Sequence, residues 1–79
     1  MLTKLTSKKK VVGVKQSRKA IRDGCAKYIY IACDADPLIV SPVAQSCTEL
    51  GIPVDSHYTM AQLGLACKIN VGASVVAVL

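Results

Sequence analysis

The sequence predicts an α/β sandwich in which a central sheet is covered by helices on both faces. Segments of strand character and segments of helix character alternate along the chain, and the stretches joining the strands are of helical length, as in layered α/β domains. Of the 79 residues, 52% are apolar, enough for one core even though a chain this short buries only about 60% of the surface it exposes when unfolded. Phe and Trp are absent and Tyr occurs three times, so the core has to be built from Val, Ile, Leu and Ala. A single domain spanning residues 1–79 is expected, with no repeat, linker or low-complexity stretch beyond Lys8-Lys9-Lys10.

Residues 2–8 have the spacing of a short helical lead-in, Leu2 and Leu5 lying three apart. Val11-Val12 reads as a strand running into Gly13. Residues 15–23 read as a helix with Ala20 and Ile21 as its apolar stripe, stopped by Gly24. The aromatic and β-branched run Tyr28-Ile29-Tyr30-Ile31-Ala32 predicts a strand, ended by the turn-forming Cys33-Asp34-Ala35-Asp36-Pro37. After Leu38-Ile39-Val40, Ser41-Pro42 has the form of a helix N-cap followed by a first-turn proline, where the missing N–H does no harm. The second helix is therefore expected to begin at Pro42, to place Val43, Cys47 and Leu50 on one face, and to stop at Gly51. Residues 52–56 predict a short strand. Thr59 and Gln62 have capping-box spacing, which predicts a helix from Met60 to about Cys67. Gly64 within it costs about 1 kcal/mol against Ala, a cost accepted for close packing on a sheet. Residues 69–72 read as a loop and residues 73–79 as the last strand.

Several classes of chemistry lack their residues. Cys25, Cys33, Cys47 and Cys67 include no C-x-x-C pair, and His57 is the only histidine, so neither a zinc site nor a redox motif is indicated; buried, reduced thiols are expected. Asp34 and Asp36 fall short of the six or more oxygens a hard cation takes, and Asp34 reads as a turn former bonding its own backbone. His57 has no nucleophile or carboxylate at a catalytic spacing and reads as a surface residue at a strand end. No catalytic residue, cofactor or metal is expected. Met1 leads into Lys4 and Lys8-Lys9-Lys10 rather than an apolar stretch, and the longest apolar-leaning run, residues 71–79, is far short of the roughly 20 residues that span a bilayer. A cytoplasmic location and no membrane partner are expected.

Charge is strongly polarised. Nine of the ten basic residues lie in residues 1–27, which carry a net +8, whereas residues 28–79 carry −3. A basic face attracts a polyphosphate backbone and releases its counterions; a solvated tail that aids solubility and an anionic membrane surface are the alternatives. The stretch Gly13-Val14-Lys15-Gln16-Ser17-Arg18-Lys19 sharpens the choice. A glycine ends a strand and a helix starts at once, so free N–H groups and the positive end of the helix dipole face outward. Lys15, Arg18 and Lys19 oppose that dipole, at about 0.3–1 kcal/mol each at most, a cost a bound anion would offset. The spacing is not that of a G-x-x-x-x-G-K-[ST] loop, so a nucleoside triphosphatase is not indicated.

G-V-K-Q-S-R-K-A, A-C-D-A-D-P and L-G-L-A-C-K-I-N-V-G-A-S, in that order and at those intervals, resemble the three signature stretches of the L7Ae and L30e ribosomal protein superfamily, most closely its small bacterial branch. The resemblance runs from about Lys10 to Leu79. It implies a three-layer α/β/α sandwich with a four-stranded mixed sheet, and recognition of kink-turn RNA, a sharply bent duplex flanked by sheared G·A pairs. The family's G-x-N-E-x-x-K stretch enters the RNA beside those pairs; the matching residues are Gly13, Val14, Lys15, Gln16 and Lys19, with Arg18 adding charge. Lys15 stands where the family has Asn and Gln16 where it has Glu, and both can still meet a guanine edge. Asp36 and Val40 match the residues that help hold a flipped-out nucleotide. Ile69, Asn70 and Val71 match the loop that covers unstacked bases, a use that suits apolar side chains in an exposed loop. Relatives often carry Lys near the start of the helix after the third strand and Arg in the last loop; Met60 and Val71 occupy those positions here and remove two cationic contacts.

The resemblance thus implies a non-catalytic protein that selects the bent form of a structured RNA, ribosomal RNA and a riboswitch being candidate targets and ribosome association one setting; a monomer is expected because nothing in the sequence demands more. The alternative is a protein-interaction module of the ribosome or RNA-processing machinery that keeps the fold and binds RNA weakly or without specificity.

Overall fold

The structure is a computed structural model that describes residues 9–79; the lead-in expected over residues 2–8 lies outside the described residues. Among the described residues seven elements follow in order: β1 (Lys10–Val12), α1 (Val14–Arg22), β2 (Tyr28–Ile31), α2 (Pro37–Leu50), β3 (Val54–Asp55), α3 (Met60–Ala66) and β4 (Val75–Val78). The strands form one mixed sheet in the order β1-β4-β2-β3. β4 runs antiparallel to both neighbours, with Val78 opposite Lys10 and Tyr28 and Val76 opposite Val12 and Tyr30. β3 joins β2 in parallel through the α2 crossover, Ile29 pairing with Val54.

Alternate residues of the two central strands separate the core into two layers. Ile29, Ile31, Val75 and Ala77 pack with Ala20 and Ile21 of α1 and Val43 and Cys47 of α2. Tyr30, Val76 and Val78 pack with Leu63 of α3 and with Cys67. All four residues of β4 are buried, which is why its sequence shows an unbroken apolar run instead of alternation. The α/β/α sandwich with a four-stranded mixed sheet is what the sequence led one to expect.

One helix begins elsewhere than expected. α2 starts at Pro37, five residues before Pro42, because Asp36-Pro37 is itself a cap followed by a first-turn proline: the Asp36 carboxylate accepts the Leu38 N–H at 2.9 Å. Pro42 lies inside the helix. Its ring removes the bond to the Leu38 carbonyl, yet Leu38 is 86% exposed, so water can serve that carbonyl, and the full burial of Val43 and Cys47 holds the segment helical against a penalty of about 3 kcal/mol. Leu50 lies on the same face at i, i+4, i+7 spacing but, as the last residue of the helix, is 60% exposed. Cys47 and Cys67 are buried as expected, but Cys25 and Cys33 are exposed, the first in the turn after α1 and the second just past the end of β2. The Thr59–Gln62 capping box is complete, with bonds of 3.2 and 2.9 Å.

Candidate nucleic-acid interface

β1, β2 and β3 all end at the edge of the sheet where β4 begins, so the N-termini of α1, α2 and α3 and the loop before β4 gather at one end of the molecule. None of the three helices has an acidic residue in its first turn. The three N-termini are not equivalent. Asp36 caps α2 and Thr59 caps α3, whereas α1 follows Gly13, which offers no side-chain cap. Its first intrahelical bond is Ser17 N–H to the Gly13 carbonyl, 3.0 Å, so the N–H groups of Val14, Lys15 and Gln16 precede the helical ladder. Gly13 sits at φ 107°, ψ 155°, a left-handed conformation that only glycine adopts cheaply; it turns the chain from strand to helix while its own N–H bonds the Val75 carbonyl at 2.8 Å.

Lys15, Gln16, Arg18 and Lys19 are exposed and Val14 is half-buried. The buried stripe is Ser17, Ala20 and Ile21, so the cations project from the opposite arc. The loop between β2 and α2 is tied to this end by Ala32 N–H to Ser74 O, 2.8 Å. Asp36, although exposed, is already engaged in capping α2. Val40 is half-buried and touches both core layers. In the last loop the three residues divide: Ile69 packs against the Tyr30–Leu63 layer, while Asn70 and Val71 are exposed, Val71 by 70%. The sequence-derived residues of α1, the β2–α2 loop and the last loop therefore share one end, with Ile69 serving as the loop's anchor.

Two residues act differently from their sequence reading. Asp34 does not bond its own backbone; its carboxylate accepts the Met60 N–H at 2.8 Å, satisfying an orphan donor of α3 and tying the β2–α2 loop to that helix. Gly64 packs on the last loop rather than on the sheet: a Cβ there would overlap the Val71 carbonyl oxygen and lie 3.2 Å from Gly72 Cα. Met60 completes the arrangement, its carbonyl accepting Ala73 N–H at 3.1 Å and its Cβ leaving only 3.0 Å for any Cβ added at Gly72. The last loop is thus clamped onto α3, with Val71 left facing outward.

Sequence reasoning missed Leu38 and Ile39, both exposed on the first turn of α2 at this same end. The signal was Asp36-Pro37, which places them on a helix start. Nearby, Asp55 accepts the His57 N–H at 2.9 Å and lies 2.8 Å from its Nδ1; the backbone bond, above all, holds the Asp55 carboxyl below the usual carboxylate range. Among the described residues no cluster of three or more His, Cys, Asp or Glu could hold a metal ion, and no helix is long and apolar enough to cross a membrane.

Comparison with known proteins fits this arrangement. The chain is 43% identical over 75 residues to an RNA-binding protein of Geobacillus sp. (strain WCH70), covering 95% of this chain and 92% of that one. It is 41% identical over 75 residues, with the same coverage, to the RNA-binding protein YbxF of Geobacillus stearothermophilus. Among solved structures, a 15.5 kD RNA binding protein of Giardia lamblia superposes with a TM-score of 0.86 at 27% identity, over 98% of this chain and 65% of the other; this chain thus spans slightly less than two thirds of the Giardia protein. A Bacillus halodurans protein of unknown function superposes with a TM-score of 0.87 at 22% identity, over 98% of this chain and 81% of that one, a likeness of fold. The model of the Ribosomal protein L7Ae/L30e/S12e/Gadd45 family matches residues 2–79, and the chain belongs to that family.

Proposed function

We propose that this protein binds kink-turn RNA and stabilises its bent form, catalysing no reaction and acting as a cytoplasmic monomer in association with ribosomal or other structured RNA. The observation that carries the reading is the start of α1: an N-terminus with no side-chain cap and no acid in its first turn, bearing Lys15 and followed by Arg18 and Lys19. In this reading the helix start enters the groove beside the sheared G·A pairs, Lys15, Gln16 and Lys19 meet guanine edges and phosphates, and exposed Val71 covers an unstacked base. Relatives named as RNA-binding proteins support the polyanion as partner. Because the protein favours the kinked conformer over the extended one, binding shifts the RNA population toward the bend.

The test is a titration of the protein into a kink-turn RNA with tandem G·A pairs, dye-labelled at its two helix ends, beside a duplex lacking those pairs. Energy transfer should rise for the kink-turn alone. Lys19→Ala should weaken binding about tenfold or more, the loss of one good base contact. Equal, weak binding to both RNAs would refute the reading and favour a protein-interaction module with a non-specific basic surface.

A further inference from the structure

The last loop takes its position from one residue of α3. Met60, the first residue of that helix, accepts the Ala73 N–H at its carbonyl at 3.1 Å and the Ser74 hydroxyl at its sulfur at 3.5 Å, and its backbone and Cβ lie close against Gly72. Val71, just before these contacts, is 70% exposed, so its side chain is placed by its neighbours and not by the core. Met60 is held in turn from the opposite side. Its N–H, one of the donors that a helix start leaves outside the ladder, meets the Asp34 carboxylate at 2.8 Å, across 26 residues of chain. Main-chain bonds run beside this one, Ala32 N–H to the Ser74 carbonyl and Cys33 N–H to the Tyr58 carbonyl, both 2.8 Å. The β2–α2 loop, the start of α3 and the last loop thereby form a closed circuit of bonds that joins the segment bearing Asp36 and Val40 to the loop bearing Val71.

The main-chain links of this circuit do not depend on which side chains stand at positions 32, 33 and 73, whereas the Asp34 link does depend on its carboxylate. The start of α3 does not need that carboxylate for capping: Thr59 and Gln62 already complete a capping box, and an exposed first-turn N–H can be left to water. What Asp34 adds is a fixed relation between the two loops. We propose that Asp34 is a positioning residue for RNA recognition: acting through Met60, it presets the last loop so that Val71 meets an unstacked base without having to be ordered first. This role rests on the RNA reading above; Asp34 itself, engaged with Met60, need touch no RNA. Ordering a loop at an interface subtracts from affinity, and a loop held in its bound position beforehand avoids that loss. The effect of Asp34 therefore belongs to the looped-out nucleotide and not to the G·A pairs met by α1.

The experiment compares Asp34→Ala and Asp34→Asn in the intact chain, the second keeping an oxygen acceptor of the same shape without the charge. Two kink-turn RNAs with tandem G·A pairs are titrated, one intact and one with an abasic residue in place of its looped-out nucleotide. Asp34→Ala should weaken binding of the intact RNA about fivefold or more and change affinity for the abasic RNA by less than about twofold. Asp34→Asn should restore affinity for the intact RNA to within about twofold of wild type. Without RNA, amide hydrogen exchange at Ala73 should quicken in Asp34→Ala and not in Asp34→Asn. An equal loss on both RNAs, which a merely structural role would give, would overturn the proposal. So would an alanine variant that binds the intact RNA as wild type does, or an asparagine variant no better than the alanine one. Wild-type protein that does not distinguish the kink-turn from a plain duplex would instead overturn the RNA reading, and the role of Asp34 with it, whatever the variants do.

Discussion

Replacing Gly64 by alanine sets two effects of opposite sign against each other. Inside a helix, Ala is favoured over Gly by about 1 kcal/mol. Against this, the new Cβ would overlap the Val71 carbonyl oxygen and crowd Val71 C at 3.1 Å and Gly72 Cα at 3.2 Å. These are backbone atoms and cannot rotate away. The loop is pinned on both sides of the contact, by Ile69 N–H to Gly64 O and by Ala73 N–H to Met60 O, each 3.1 Å. Overpacking of this kind costs about 1–3 kcal/mol, and breaking one pinning bond to relieve it adds about 1 kcal/mol. The overlap therefore wins, and the net loss is about 1–3 kcal/mol. For a domain of this size each kcal/mol moves Tm by about 4–8 °C, so Tm should fall by about 5–20 °C. Thermal and urea unfolding followed by circular dichroism measures the loss. Ala61→Gly, at an exposed position of the same helix, calibrates the helix-propensity share. An unchanged or higher Tm for Gly64→Ala would refute the reasoning: the loop would then yield freely, and the glycine would not be there to admit it.

Two further outcomes follow from local geometry. Lys68 occupies the left-handed position after α3, φ 60°, where a non-glycine residue is strained by about 1–2 kcal/mol; Lys68→Gly should raise stability by up to about 1 kcal/mol once the extra entropy of the unfolded chain is set against it, read as an increase in urea midpoint at unchanged slope. Asp55 has its carboxyl depressed by the His57 N–H, so the stability it contributes is present above the unfolded-state value and lost as pH falls through the lower folded value. Asp55→Asn should accordingly destabilise at pH 7 and make little difference at pH 2, and equal destabilisation at both would show that the charge is not what matters.

How much of this was legible beforehand depends on whether a residue's role is local. The helices α1, α2 and α3 end alike, the chain reversing with bonds from the next two N–H groups: Gly24 to Ile21 O and Cys25 to Ala20 O, Gly51 to Thr48 O and Ile52 to Cys47 O, Lys68 to Leu65 O and Ile69 to Gly64 O. The first two stops could be read because glycine marks them; the third is hidden because a lysine bears the same backbone strain. The capping box at Thr59 was legible since both partners lie within three residues. Asp34 was not, because the N–H it serves belongs to Met60, 26 residues away. The start of α2 was misread because two Pro-containing cap signals stand five residues apart, and only the burial of Val43 and Cys47 reveals that the helix runs through the second. The uncapped start of α1 could be read from Gly13 followed directly by a helix bearing Lys15 and Lys19, whereas the burial of Ile69 and the exposure of Val71 required knowing which side of the loop meets the core.

At α1 the local rules of helix stability are broken together. The N-cap is a glycine with no side chain to bond the first turn, which forgoes roughly 0.3 kcal/mol; Lys15 in the first turn opposes the dipole by about 0.3–1 kcal/mol; and the Ser17 hydroxyl is fully buried with no hydrogen-bond partner, against the usual rule for polar groups in a core. The cap is not simply missing. At φ 107° an Asp or Ser at position 13 would be strained, so the sharp strand-to-helix turn and a conventional cap exclude each other. A nine-residue helix with these faults would not form alone. It is held from below, by Ala20 and Ile21 in the core and by the Gly13 N–H on Val75. Stability supplied by the sheet leaves the helix start free to present unused N–H groups and positive charge, and an anion placed there recovers what the isolated helix lacks. Local conflicts concentrated in one element, beside neighbours that are conventionally capped, are what a binding site is expected to leave in a sequence otherwise consistent with its fold.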